Sequence, residues 1–136
     1  MREILFRGKR VDNGEWVYGS FIPDSMEIYY GDKDLDGFIK PFGETKEERV
    51  MVEVERNTVG QYTGLKDKNG TRIFEGDIVI CDYFCGVVNF YEGTWCVTEE
   101  DNYHDYLYDV IDLKIIGNIH DNPELLKGEQ KNETTT

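Results

Sequence analysis

Short apolar runs recur along the chain, each bounded by Gly, Asn, Asp or Pro, which is the pattern of β-strands joined by tight turns. Residues 3–6 read as the first strand. Asn13-Gly14 then supplies the residue pair that takes the positive φ angles of a type I′ turn, so a hairpin is expected, its return strand running through Trp16, Val17 and Tyr18 to Ile22. Pro23 ends that strand because it has no N–H to give to a ladder. Residues 26–30 offer a short strand, and Val50, Val52 and Val54 fall on one face of another. A second Asn-Gly turn, Asn69-Gly70, follows Tyr62-Thr63-Gly64 at the offset that separates Asn13-Gly14 from Phe6-Arg7-Gly8, so the two hairpins are expected to be similar ribbons.

Gly76 is placed to allow a tight bend before Asp77-Ile78-Val79-Ile80-Cys81, the most apolar strand. Turns at 82–86 and 92–94 fold the following runs, 87–91 and 95–97, into a meander. Tyr103, Leu107, Val110 and Ile111 recur at helical spacing and predict a short helix, followed by a strand over 113–116. Asp121 or Asn122 can cap a final helical turn that has Pro123 in its first position. Residues 127–136 contain no apolar side chain and read as a flexible tail. These elements predict a mainly β fold, an open or partial SH3-like barrel of hairpins with one or two short helices. Residues 1–126 form the domain, with 24–48 as a polar loop region.

Composition agrees with this class. The 136 residues suffice for one domain with a core, and alanine, the best helix former, is absent. Against 28 acidic residues stand 15 lysines and arginines, a formal net charge of −13. Affinity for nucleic acid rests on cationic contacts to phosphate, so nucleic acid is a poor partner and a basic protein a better one. No apolar run reaches the length of a membrane span, and residues 1–7 lack the apolar stretch of a secretory signal. Cys81, Cys85 and Cys96 cannot all pair within one chain and are read as cytosolic thiols.

Candidate chemistry is sparse. Asp32, Asp34, Asp36 and Gly37 match the first, third, fifth and sixth positions of a calcium loop, but the twelfth position is Gly43 where a bidentate glutamate belongs, so a solvated acidic loop is the favoured reading. Cys81 and Cys85 with His104 and His120 have the atoms for zinc but not the paired short spacing of a knuckle. Cys96, His104 and Asp105 are the residue types of a nucleophile, base and orienting acid, without an elbow motif to assemble them. Tyr62, Phe74, Tyr83, Phe84, Tyr91 and Trp95 contain the aromatic surface of a single-strand stacking platform, but Lys66, Lys68 and Arg72 are few cations to accompany it. No catalytic residue, metal or cofactor is assigned. The candidate contact surface is the hairpin turn, with Tyr62, Lys66, Lys68 and Asn69.

Three blocks carry a resemblance: Gly60 through Gly70, then Ile73-Phe74-Glu75-Gly76-Asp77-Ile78-Val79, and Ile116 through Leu126, preceded by Arg2-Glu3-Ile4-Leu5-Phe6-Arg7. In this order they resemble the YopX family of phage and prophage proteins. The resemblance implies a small, mostly β protein encoded by a bacteriophage or prophage of a Gram-positive host, and with no apolar signal or span read above, the host cytoplasm is its expected location. It brings no catalytic residue with it. The expected function is that of a non-enzymatic accessory module binding a host or phage protein, alone or as a homo-oligomer. Two alternatives are an acidic mimic of nucleic acid that occupies a host DNA-binding protein, and a small barrel that binds single-stranded nucleic acid.

Overall fold

The structure, a computed structural model, describes residues 3–22, 26–30, 50–81, 84–100, 102–110 and 112–126. The fold is mainly β, built from antiparallel sheets that do not close into a barrel. The chain divides into two compact units, Met1–Tyr62 and Thr63–Thr136.

In the first unit β1 (Phe6–Lys9), β2 (Trp16–Ile22), β3 (Glu27–Tyr30) and β4 (Val50–Glu53) form an antiparallel run, and the start of β5 (Gly60–Lys66) pairs with the free side of β1. Alternation along β2 turns Val17 inward, where it meets Ile28 and Val54, with Phe21, Val52 and Val59 packed around them. A single bridge between Arg10 and Val54 ties the end of β1 to the residue after β4. One bridge is not a ladder, so the run curls towards a barrel and stays open. Thr58, in a 3₁₀ turn at Arg56–Thr58, fastens this curl: its hydroxyl accepts the Lys9 N–H at 2.9 Å and donates to the Glu55 carbonyl at 2.6 Å. The short strand expected over 26–30 is present as β3, an internal strand whose Ile28 is fully buried. Residues 31–49 lie outside the described residues, and with them the calcium-loop candidates Asp32, Asp34 and Asp36.

In the second unit β5 continues towards β6 (Arg72–Phe74), and the Thr63 hydroxyl donates to the Ile73 carbonyl at 2.8 Å. Then follow β7 (Asp77–Ile80), β8 (Cys85–Tyr91), β9 (Thr94–Thr98), β10 (His104–Tyr106) and β11 (Lys114–Asn118), in the sheet order β10-β9-β8-β7-β11. Ile73, Val79, Val88, Val97, Leu107 and Leu113 form the core. Both Ile78 and Val79 are fully buried, so β7 has no wet face, in keeping with its unbroken apolar sequence. The bend expected at Gly76 is present, with Gly76 at φ 92° and the buried Asp77 carboxylate accepting the Phe74 N–H at 2.7 Å.

Two local expectations are corrected. Gly14 and Gly70 have positive φ but Asn13 and Asn69 do not, so neither Asn-Gly turn is type I′. Asp67 N–H instead bonds Thr71 C=O and Gly70 N–H bonds Asp67 C=O, a type I turn closed by a glycine in the left-handed region; Arg10 N–H to Glu15 C=O closes the first hairpin with one residue more. The helix expected over 103–111 is β10 followed by a 3₁₀ turn, Leu107–Asp109. Tyrosines lose rotamer freedom in a helix and pair well across strands, so tertiary pairing with β9 overrides the spacing. At the C-terminal end residues 124–126 are helical after Pro123, as expected. Before this turn the Asn122 side chain accepts the Asn118 N–H at 3.2 Å, and the Asn118 side chain accepts the N–H groups of His120 and Asp121.

Candidate functional site

Strand alternation sorts the side chains of β8, β9 and β10 onto two faces. Val88 and Val97 point into the core. Asn89, Tyr91, Cys96, Thr98, His104 and Tyr106 share the opposite face by register, since Val88 pairs with Val97, Asn89 with Cys96, His104 with Thr98 and Tyr106 with Cys96. The Thr98 hydroxyl donates to Asn89 Oδ1 at 2.8 Å and lies 2.7 Å from His104 Nδ1, so one hydroxyl links the two side chains. The His104 ring is stacked on Tyr91, with centroids 3.9 Å apart and planes 14° from parallel.

Cys96 stands midway between Thr94 and Thr98, the register partners of Tyr91 and His104, and is 1% exposed. Burial pushes its thiol pKa up, and the carboxylates of Glu92 and Asp105 push the same way. A thiol held protonated is a poor nucleophile. Asp105 pairs with Val97 and so lies on the face opposite His104, whose Nδ1 is already engaged by Thr98. Nucleophile, base and acid are thus not assembled as a relay. Nor are the four zinc candidates gathered: among the described residues no group of three or more His, Cys, Asp or Glu side chains could hold a metal ion.

The accessible feature of this unit is aromatic. Tyr106 and Tyr108 stack with centroids 5.5 Å apart and planes 10° from parallel, yet they are 51% and 67% exposed. Tyr91, Tyr103 and Phe90 are also exposed, Phe90 meeting Trp95 edge-on at 5.0 Å. Between Arg72 and Lys114 the sequence has ten acidic residues and not one lysine or arginine. That absence of cations was a signal available in the sequence; the stacking of Tyr106 and Tyr108 was not, because in a helix over 103–111 residues two apart point to opposite sides, whereas here their rings lie together.

The residues singled out from sequence are divided by the fold. Lys66, Lys68 and Asn69 are exposed at the β5–β6 turn, and the two lysines line a groove of about 250 Å³ with Asp112, Tyr108, Val110 and Leu113. Tyr62 is buried at 7% exposure and takes no part in that surface. Of the stacking-platform residues, Phe74 is buried, Phe84 and Trp95 pack against the core, Tyr83 lies outside the described residues and Tyr91 alone is exposed, so they do not form one platform.

Among the described residues no helix is long and apolar enough to cross a membrane. A comparison with curated proteins finds no match. Among solved structures the chain is similar to the crystal structure of protein EF1440 from Enterococcus faecalis, with a TM-score of 0.47 and 23% identity, covering 93% of this chain and 99% of that one. The family model for YopX protein matches residues 5–127, nearly the whole length, and the chain belongs to the YopX family.

Proposed function

We propose that this protein is a non-enzymatic phage accessory module that binds a basic host or phage protein through the exposed aromatic surface at β10. The observation that carries the reading is the Tyr106–Tyr108 stack, more than half exposed in a stretch of sequence without a cation. Tyrosines are expensive to leave in water and offer large, rigid contact area, which is why they are enriched where interfaces concentrate their energy. The surrounding carboxylates favour cationic partners and speed their encounter. The test is affinity capture from infected host cells with the wild-type chain and with a Tyr106→Ser/Tyr108→Ser variant. A protein retained by the first and lost by the second supports the reading; equal capture by both sinks it.

A further inference from the structure

We propose that the outer edge of β10 accepts an extended, arginine- or lysine-bearing segment of the partner as an added strand. The inference rests on the protein-binding reading above and supplies its mode. The two edges of the five-stranded sheet differ. At the start of β11 two groups of this edge are used within the fold: Ile115 N–H is taken by the Asp67 carboxylate at 3.1 Å, and the C=O of Leu113, just before the strand, by Lys68 N–H at 2.9 Å. At β10 the ladder to β9 uses alternate residues. Glu99 N–H bonds Tyr103 C=O, so Asp105, two residues on and opposite Val97, also faces β9, which turns the backbone groups of His104 and Tyr106 outward. Among the described residues no backbone group pairs with that outward side.

An open edge is a template for another strand, and folds commonly cover it. Here the edge is flanked by Glu99 and Asp109 and by the Tyr106–Tyr108 stack, which suits a guanidinium or ammonium group over its ring faces. A second copy of this chain is disfavoured because β10 pairing with β10 would set Asp105 and its acidic neighbours close to their own kind in a chain of net charge −13. Nucleic acid is disfavoured by the same charge.

The experiment uses the full chain and a synthetic ten-residue peptide of alternating arginine and valine, with a glutamate–valine peptide as control. Amide hydrogen exchange is followed by NMR. The cationic peptide is expected to slow exchange of the His104 and Tyr106 amides by about ten-fold or more, and the acidic peptide to leave them unchanged. Tyr106 has φ −66° and ψ 128°, values proline adopts, so Tyr106→Pro removes the outward N–H without requiring a new backbone path. It is expected to weaken peptide binding beyond Tyr106→Ala, which removes only the ring. Absence of protection at saturating cationic peptide, equal binding by the Pro and Ala variants, or protection by self-association in place of the peptide overturns the strand-addition proposal. If tyrosine-dependent capture of a host or phage protein persists in that event, the protein-binding reading stands without it; if capture ignores the tyrosines, that reading fails by itself.

Discussion

The Asp67 carboxylate accepts the backbone N–H of Ile115 at 3.1 Å, joining the tip of a hairpin turn to a sheet edge 48 residues away in sequence. Its other oxygen accepts the N–H groups of Asn69 and Thr71, each at 2.9 Å, and the residue is 8% exposed. One side chain thus shapes the turn and closes the edge. Asp67→Ala leaves three partly buried donors without their acceptor and is expected to cost about 2–4 kcal/mol in urea unfolding. Asp67→Asn keeps an oxygen for the turn but sets an amide N–H₂ against Ile115 N–H, so its cost should be smaller and its fastest-exchanging new amide should be Ile115. Protection of Ile115 unchanged in the Asn variant would show that the edge does not depend on this carboxylate.

The β8–β9 hairpin has the turn geometry expected of the Asn-Gly pairs, on a sequence that does not favour it. Tyr91 pairs with Thr94, and the two residues between them, Glu92 and Gly93, have φ 48° and 82°. That is a two-residue loop with both φ positive, as in a type I′ turn, where glutamate crowds its own backbone and asparagine is favoured. Glu92→Asn is expected to raise stability by about 0.5–1 kcal/mol, visible as a melting temperature a few degrees higher. An unchanged or lower melting temperature would contradict the assignment.

Strand positions were legible in the sequence wherever apolar runs met turn residues: the meander, the bend at Gly76 and the internal strand at 27–30 all stand where pattern placed them. What pattern could not supply was anything set by partners distant in sequence. Asp67 lies in a turn that hairpin chemistry alone would explain, and only the proximity of Ile115 reveals why an acid is buried there. Tyr103, Leu107 and Val110 fit helical spacing equally well as a strand leading into a 3₁₀ turn, and pairing with β9 decides between them. The same ambiguity hid the candidate surface, since a helix would set Tyr106 and Tyr108 on opposite sides, while in the observed conformation their rings stack.

Gly117 marks a close approach. Its φ is not in the left-handed region, but a Cβ there would stand 2.7 Å from Asn122 Oδ1 and 2.8 Å from Leu125 Cδ1. It also sits at the register shift between β11 and β7, beside the turn built by Asn118. Gly117→Ala is expected to destabilise by about 1–3 kcal/mol through steric overlap, with the Leu125 methyl resonances moving as the C-terminal turn is displaced. A stability within 0.5 kcal/mol of wild type, roughly the range of neutral surface changes, would show that the turn yields freely.

Cys96 gives a test of the buried side of β9, on the strand between Tyr91 and His104. Burial and the negative charges of Glu92 and Asp105 hold its thiol pKa above the ordinary value, whereas Cys81 and Cys85 are half-buried. In the native protein at pH 8, iodoacetamide is therefore expected to modify Cys81 and Cys85 first and Cys96 about a hundred-fold more slowly or less, at a rate set by opening of the fold. The stability consequence has a definite sign. Where the unfolded thiol ionises, above about pH 8.5, the folded state still holds the proton; the unfolded state binds fewer protons, and stability falls as pH rises. The contribution is complete below that pH and is lost towards the folded-state pKa. Comparing wild type with Cys96→Ser removes the alkaline titrations they share, so the loss of stability between pH 7 and pH 10 should be larger in wild type. Alkylation of Cys96 as fast as Cys85, or equal alkaline losses in the two proteins, would place the thiol in water rather than in a buried site.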